Sequence, residues 1–501
     1  MKRRPLAVVG GGLVLALLGY LVTSAEPVTA AESGINWQQC PDTDVKIDCA
    51  TVDVPLDWSK PDGDKIHIGI ARVKAKDQAN RIGVAMMDPG GPGTSGVLDL
   101  TRRNGKVFSD AVHERFDVVT YDARGVNTSS RVVCDEALAD KADKLLTPQS
   151  QADFDKMTAA KIELSEDCRR RTGPLYDHTD NRSVVKDIDA IRAALGEETI
   201  TQIGYSYGSL AIQQYAEMFP RRVRALVSDG TADRSPKGAS LEAWVDDHAR
   251  ILERNFVAFA DWCDRTPSCV LYGKDTKKVY GELRERARAG KLTDPTTGDA
   301  IDFYQLNRLT GGSNYPEDWG RFATRLKGLY DGKASGGTTS AGAAQGTATQ
   351  AGVPPRLPHE VWFCHDFDFK VKNYAEWNKL VKRTAAKYPN VQWSDHSTHA
   401  LDCTGYTGKV TNPPRTPKVD KSVKLVVVGN LYDFATVYEG AQALAKQTRA
   451  PLLTYEGYGH TIYPTTPSYG PSTCINQAVD NFLINLKKPA NTRCPDIETP
   501  K

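Results

Sequence analysis

The sequence predicts an α/β fold, a mostly parallel central sheet with an inserted, mainly helical cap. Two observations lead there. Short apolar runs ending in loop signals alternate with segments of helical periodicity, the rhythm of parallel strands joined by crossover helices. That rhythm stops between about residues 231 and 410 and then resumes with "VKLVVV". Taken in order, "KIHIGIARVKA" (65–75) alternates polar and apolar residues and reads as a half-buried strand. "GVAMM" (83–87) and "DVVTY" (117–121) read as buried strands. "SVVKDIDAIRAAL" (183–195) has apolar residues at helical spacing, 199–203 is the next strand and 210–219 the next helix. Runs at 223–227 and 423–428 continue the strand series, and 451–455 ends it. Within the interruption, 241–259 and 277–289 read as helices, and the Gly-, Ala-, Ser- and Thr-rich tract 332–352 as a surface loop. The expected organisation is a leader over 1–30, core over 31–230, cap over 231–410 and the rest of the core over 411–501.

The leader is read from the basic start Met1-Lys2-Arg3-Arg4, an apolar run over 6–22 and Val28-Thr29-Ala30, which fits the small-x-small cleavage rule. A secreted protein beginning near Ala31 is expected, without stable membrane association once cleaved; an uncleaved anchor is the alternative. No cysteine lies near the junction, which argues against a lipid-modified lipoprotein. The ten cysteines are even in number and include no C-x-x-C or four-ligand zinc spacing. Outside the cytosol they would form disulfides, and pairing of chain neighbours (Cys40–Cys49, Cys134–Cys168, Cys263–Cys269, Cys364–Cys403, Cys474–Cys494) is the expectation. The formal charge is +2, and removing the leader leaves a neutral chain of about 470 residues. That balance argues against nucleic acid as a partner.

Gly204-Tyr205-Ser206-Tyr207-Gly208 is a G-x-S-x-G pattern between a strand and a helix. In that context the glycines leave room for a sharp turn that pushes a nucleophilic serine out of the sheet, making Ser206 the expected nucleophile. A serine needs a base, and the base an orienting acid. His460 follows the last strand of the series in "PLLTYEGYGHTIY", and Asp433 follows the preceding one in "LVVVGNLYDFATVYEG". Asp229, after "ALVSD", is the competing acid. Backbone donors for an oxyanion are expected from the loop "MMDPGGPGTSG", at Gly91 with Gly90 and Gly93 allowing close approach, and from the N–H of Tyr207. His396 and His399 could suggest a metal cluster with Asp395 and Cys403, but H-x-x-H is too tight for zincin-type helical ligation and Cys403 is expected to pair. No metal or other cofactor is expected.

The segments "INWQQCPD…IDCATVDVPLDW", "MMDPGGPGTSG", "VVTYDARGVNTSS", "IRAALGEETITQIGYSYGS", "VVVGNLYDFATVYEGA" and "GYGHTIY" resemble secreted actinomycete tripeptidyl aminopeptidases, α/β-hydrolases of the prolyl-aminopeptidase-like serine peptidase group. The resemblance runs over nearly the whole chain after the leader except 332–352. It implies the α/β-hydrolase fold, Ser206, Asp433 and His460 as nucleophile, acid and base, and release of short peptides from substrate N-termini. Two positions depart from it. Those aminopeptidases often carry an acid before the cap cysteine, where it could hold the substrate α-ammonium; here that position is Phe363, with Glu360 and Asp366 nearby as candidates. The family commonly has proline after the acid, and here it is Phe434. The substrate expected is a peptide or a small ester. A secreted exopeptidase is the leading reading, an esterase with the same triad the alternative, and a catalytically silent binding protein the third.

Overall fold

The structure is a computed structural model that describes residues 34–334, 358–464 and 471–496. The expected leader and the greater part of the 332–352 loop lie outside the described residues. One sheet of ten strands organises the rest: β1 (Gln38–Gln39), β2 (Asp48–Pro55), β3 (Lys65–Val73), β4 (Gly83–Asp88), β5 (Phe116–Tyr121), β6 (Ile200–Tyr205), β7 (Val223–Asp229), β8 (Leu425–Tyr432), β9 (Leu452–Tyr458) and β10 (Thr492–Cys494), in the order β1-β2-β3-β5-β4-β6-β7-β8-β9-β10. The pairs from β1 to β5 across β2 and β3 are antiparallel, and those from β5 to β10 are parallel.

Both faces of the parallel part are covered, which is why its strands read as continuous apolar runs. Val84 and Met86 point to one face, where Val184, Val185, Ile188 and Ile191 of the helix Asn181–Ala194 and Tyr215 of the helix Ser209–Met218 pack. Ala85 and Met87 point to the other, against Val97, Leu100, Val479 and Phe482. The strand series does not end with β9 as the sequence reading has it. β10 adds three residues at the edge, and the Cys474–Cys494 disulfide ties it to the helix Thr473–Asn485. A three-residue strand carries too little periodicity to announce itself. All five expected disulfides are formed.

Between β7 and β8 no strand joins the sheet among the described residues. Helices Leu241–Arg265, Thr276–Arg288 and Trp319–Asp331 build a second apolar core from Phe256, Phe259, Tyr280, Trp319 and Phe322, and the helix Tyr374–Lys387 packs Trp377 and Leu380 into a neighbouring one. It reaches the sheet at the carboxyl end of β9, where Trp319 packs edge-on against Tyr458, which in turn stacks on Tyr432 at the end of β8. The helical layer therefore sits over the ends of the strands that carry the candidate site. Among the described residues no helix is long and apolar enough to cross a membrane.

Candidate active site

Ser206 follows β6 directly and has φ of 55°, a left-handed conformation that a non-glycine residue adopts only when its surroundings enforce it. The enforcement is steric. A Cβ on Gly204 would lie 2.4 Å from the Gly208 carbonyl oxygen and 2.5 Å from Ile212 Cγ1, and one on Gly208 would lie 2.6 Å from Asp88 Oδ1. Strand and helix thus cross closer than any side chain at these two positions would permit. The helix Ser209–Met218 begins immediately after, aiming the positive end of its dipole at the turn. Gly208→Ala is expected to cost about 1–3 kcal/mol through overpacking and to lower activity with it; a denaturation midpoint equal to wild type would show that the crossing has slack.

The glycine loop after β4 meets this turn. Asp88 is buried, and its Oδ1 accepts the Gly90 N–H at 2.9 Å while its Oδ2 accepts the Tyr121 hydroxyl at 2.6 Å. Burial raises its carboxyl above the usual range despite those two bonds. Gly90 has φ of 80°, and a Cβ there would lie 2.3 Å from the Tyr205 carbonyl and 3.0 Å from the Tyr207 nitrogen. The loop carrying Gly91 is thereby pressed against the turn carrying Tyr207.

Asp433, fully buried just past β8, accepts backbone N–H groups from Ala435 and Thr436, each at 2.9 Å. His460, two residues past β9, places Nδ1 2.9 and 3.0 Å from the two Asp433 oxygens. Burial alone would lower the imidazole, but the charge and hydrogen bond of Asp433 outweigh it and hold His460 above its ordinary value. Gly230 leaves room for the ring: a Cβ there would lie 3.1 Å from His460 Cε1. Asp229 is not directed at Nδ1. Its Oδ2 accepts the amides of Ile462 and Tyr463, each at 2.9 Å, and burial pushes its carboxyl up to about 6.

Glu360 and Asp366 stand at the two ends of the buried helix Glu360–Asp366 and are both engaged. Glu360 lies 3.5 Å from the buried Lys161 ammonium. Asp366 accepts the Tyr207 hydroxyl and the Asn412 amide, each at 2.5 Å, and the Asn181 N–H at 3.2 Å. Burial, aided by the nearby Asp180 charge, pushes its carboxyl up to about 7. The four residues Asp395, His396, His399 and Cys403 do not gather into one group. Cys403 is in its disulfide, Asp395 bonds Arg308 at 3.2 Å, and His399 turns to Asp402.

The two departures from the aminopeptidase pattern meet in one run of rings. From Tyr207 it passes to Phe363 (6.5 Å between centroids), Trp244 (5.5 Å), His248 (4.3 Å), His396 (5.4 Å), Phe434 (5.6 Å) and His460 (6.0 Å). Sequence reasoning singled out Phe363 and Phe434 but missed Trp244 and His248. Their i, i+4 spacing on a cap helix is an ordinary helical pair and carries no signal of its own.

The family model described as the alpha/beta hydrolase fold matches residues 88–467. The chain belongs to this family. Relatives of this α/β hydrolase cover nearly its whole length. It is 29% identical over 520 residues to the serine protease Hip1 of Mycobacterium tuberculosis, spanning 96% of this chain and 94% of that one. It is 28% identical over 494 residues to the tripeptidyl aminopeptidase of Streptomyces lividans, spanning 94% and 88%. With carboxylesterase B of Mycobacterium tuberculosis it shares 27% over 546 residues, spanning 98% and 99%. This α/β hydrolase is an enzyme of the serine hydrolase class.

Proposed function

We propose that the protein is a secreted serine exopeptidase that releases short peptides from substrate N-termini. The observation that carries the serine-hydrolase part of this reading is the Asp433–His460 pair, just past β8 and β9 at the carboxyl edge of the sheet and beneath a helical layer. In this mechanism His460, held through Nδ1 by Asp433, takes the Ser206 proton at Nε2 as Oγ attacks the scissile carbonyl. The amides of Gly91 and Tyr207 receive the oxyanion, and the helix Ser209–Met218 favours its charge. His460 then gives the proton to the leaving amine, and water releases the acyl group by the same route. Five disulfides suit an oxidising compartment and support secretion. The tripeptidyl aminopeptidase among the relatives supports the exopeptidase specificity.

Of the two carboxylates near the cap cysteine, Asp366 is the better anchor for the substrate α-ammonium. It is joined through the Tyr207 hydroxyl to the residue after the nucleophile, whereas Glu360 is held by Lys161. A tripeptide spans roughly 10 Å when extended, enough to run from Ser206 past the Tyr207 ring. Acetylating a tripeptide anilide is expected to lower kcat/KM at least about tenfold, equivalent to about 1.4 kcal/mol. Asp366→Asn should erase most of that difference. Equal cleavage of free and blocked substrates would favour the second reading, an esterase with the same triad. The uncharged Phe363 at the expected anchor position and the carboxylesterase among the relatives support that alternative.

A further inference from the structure

Four of the nine histidines, His248, His396, His399 and His359, lie in one run of ring contacts in the cap. Two of them converge on a single carboxylate. His359 Nδ1 lies 3.0 Å and His399 Nδ1 2.8 Å from the same oxygen, Asp402 Oδ2, and one ligand-type atom from each residue falls within 4.8 Å of the other two. Asp402 is buried, while the His359 and His399 side chains are 28% and 37% exposed, so the group has a buried floor and an open side.

We propose that His359, His399 and Asp402 form a binding site for a zinc-type divalent cation. The donor set is the one such an ion takes: two imidazoles and one carboxylate, with a fourth position left for water. Tetrahedral bonds of about 2.0–2.1 Å put ligand atoms about 3.3 Å apart. The two N···O distances therefore need to open by only a few tenths of an ångström. On entry the two Nδ1–H groups give way to lone pairs, each imidazole proton residing on Nε2 instead, and the cation replaces two hydrogen bonds to one oxygen.

The site is also pre-assembled. His359 immediately precedes the helix Glu360–Asp366, and His399 and Asp402 lie on the turn around Asp395–Leu401. The Cys364–Cys403 disulfide staples these two segments next to all three ligands. Charge does not oppose the ion. Asp402 and Glu360 bring two negative charges, and a buried cation beside them, Lys161, is taken up by Glu360 at 3.5 Å and by the Asp402 carbonyl at 3.4 Å. The grouping differs from the His396, His399, Asp395 and Cys403 set that the linear sequence suggests: His359 comes from far upstream in the chain, and Asp402 is the carboxylate in place of Asp395.

The test is calorimetric titration of the untagged, disulfide-intact protein with zinc chloride, and separately with cobalt chloride. One equivalent of zinc should bind at micromolar concentration or tighter, and cobalt should give the intense visible absorption of a tetrahedral site. His399→Ala and His359→Ala should each weaken binding at least tenfold, and both positions are open enough for the variants to fold. His396→Ala, a neighbouring imidazole outside the set, should bind as wild type. No binding at 100 µM zinc, or unchanged titrations for both His399→Ala and His359→Ala, would overturn the proposal. A loss with His396→Ala equal to that with His399→Ala would also overturn it.

Discussion

Ser206→Ala is expected to abolish turnover, with a rate loss on the order of 10⁴–10⁶, while leaving the fold and thermal stability intact. The side chain is half-buried at a turn whose shape is imposed by Gly204, Gly208 and Asp88, so deleting its hydroxyl removes no packing that the turn depends on. The φ of 55° is no easier for alanine than for serine, so the strain stays in place. The loss therefore reports chemistry alone. Near-ultraviolet circular dichroism should superimpose on wild type, and a fluorophosphonate probe should label the wild type only. Retention of more than a few per cent of activity in the purified variant would mean that another group attacks the carbonyl.

How much of this was legible in the sequence follows from what each feature depends on. The turn at Ser206 was readable because its requirement is a backbone one: two glycines where no Cβ fits, between a strand and a helix. The parallel strands were readable because burial on both faces leaves them almost wholly apolar, as in Gly83–Asp88 and Leu425–Tyr432. The β2 strand alternates and is legible on that ground, whereas β10 is beyond any periodicity argument, because a disulfide and an edge pairing hold its three residues. Side-chain partners were the hard part. Nothing in "EVWFCHDFDF" reveals that Glu360 faces Lys161 from a distant helix or that Asp366 takes the Tyr207 hydroxyl. Such pairings are set by how the cap docks on the sheet, which no local pattern encodes. For the same reason no ligand spacing along the chain announces His359 and Asp402, which are brought together across a disulfide.

The two buried aspartates beside His460 should separate sharply on amide substitution. Asp433→Asn is expected to lower kcat on the order of 10⁴, the loss typical of a triad whose imidazole is left in the wrong tautomer. Asp433 meets Nδ1 with both oxygens, and an asparagine that keeps its oxygen on the amides of Ala435 and Thr436 turns its NH₂ toward the ring. That NH₂ in place of Oδ2 favours Nδ1 as an acceptor, and in that tautomer the proton sits on the nitrogen that has to serve as base. Asp229→Asn should cost far less, within about tenfold in kcat. The single asparagine oxygen can still accept the Ile462 and Tyr463 amides that Asp229 Oδ2 accepts now. With its carboxyl pushed up to about 6 by burial, Asp229 is already partly uncharged in mildly acidic solution, so losing its charge there changes little. The pH profile supplies the second readout. Catalysis needs neutral imidazole, so kcat/KM falls as pH drops through the His460 value. Burial lowers that value and the Asp433 charge and hydrogen bond raise it by more, which places the acid limb above the ordinary histidine range in the wild type. Removing the Asp433 charge leaves burial opposed only by the weaker effect of the Asp229 charge, and the limb should move to lower pH. Asp229→Asn should shift it in the same direction but by less, since Asp229 acts on His460 through charge alone. Equal losses in the two variants, or an acid limb that stays in place in Asp433→Asn, would transfer the orienting role away from Asp433 and require a different geometry around His460.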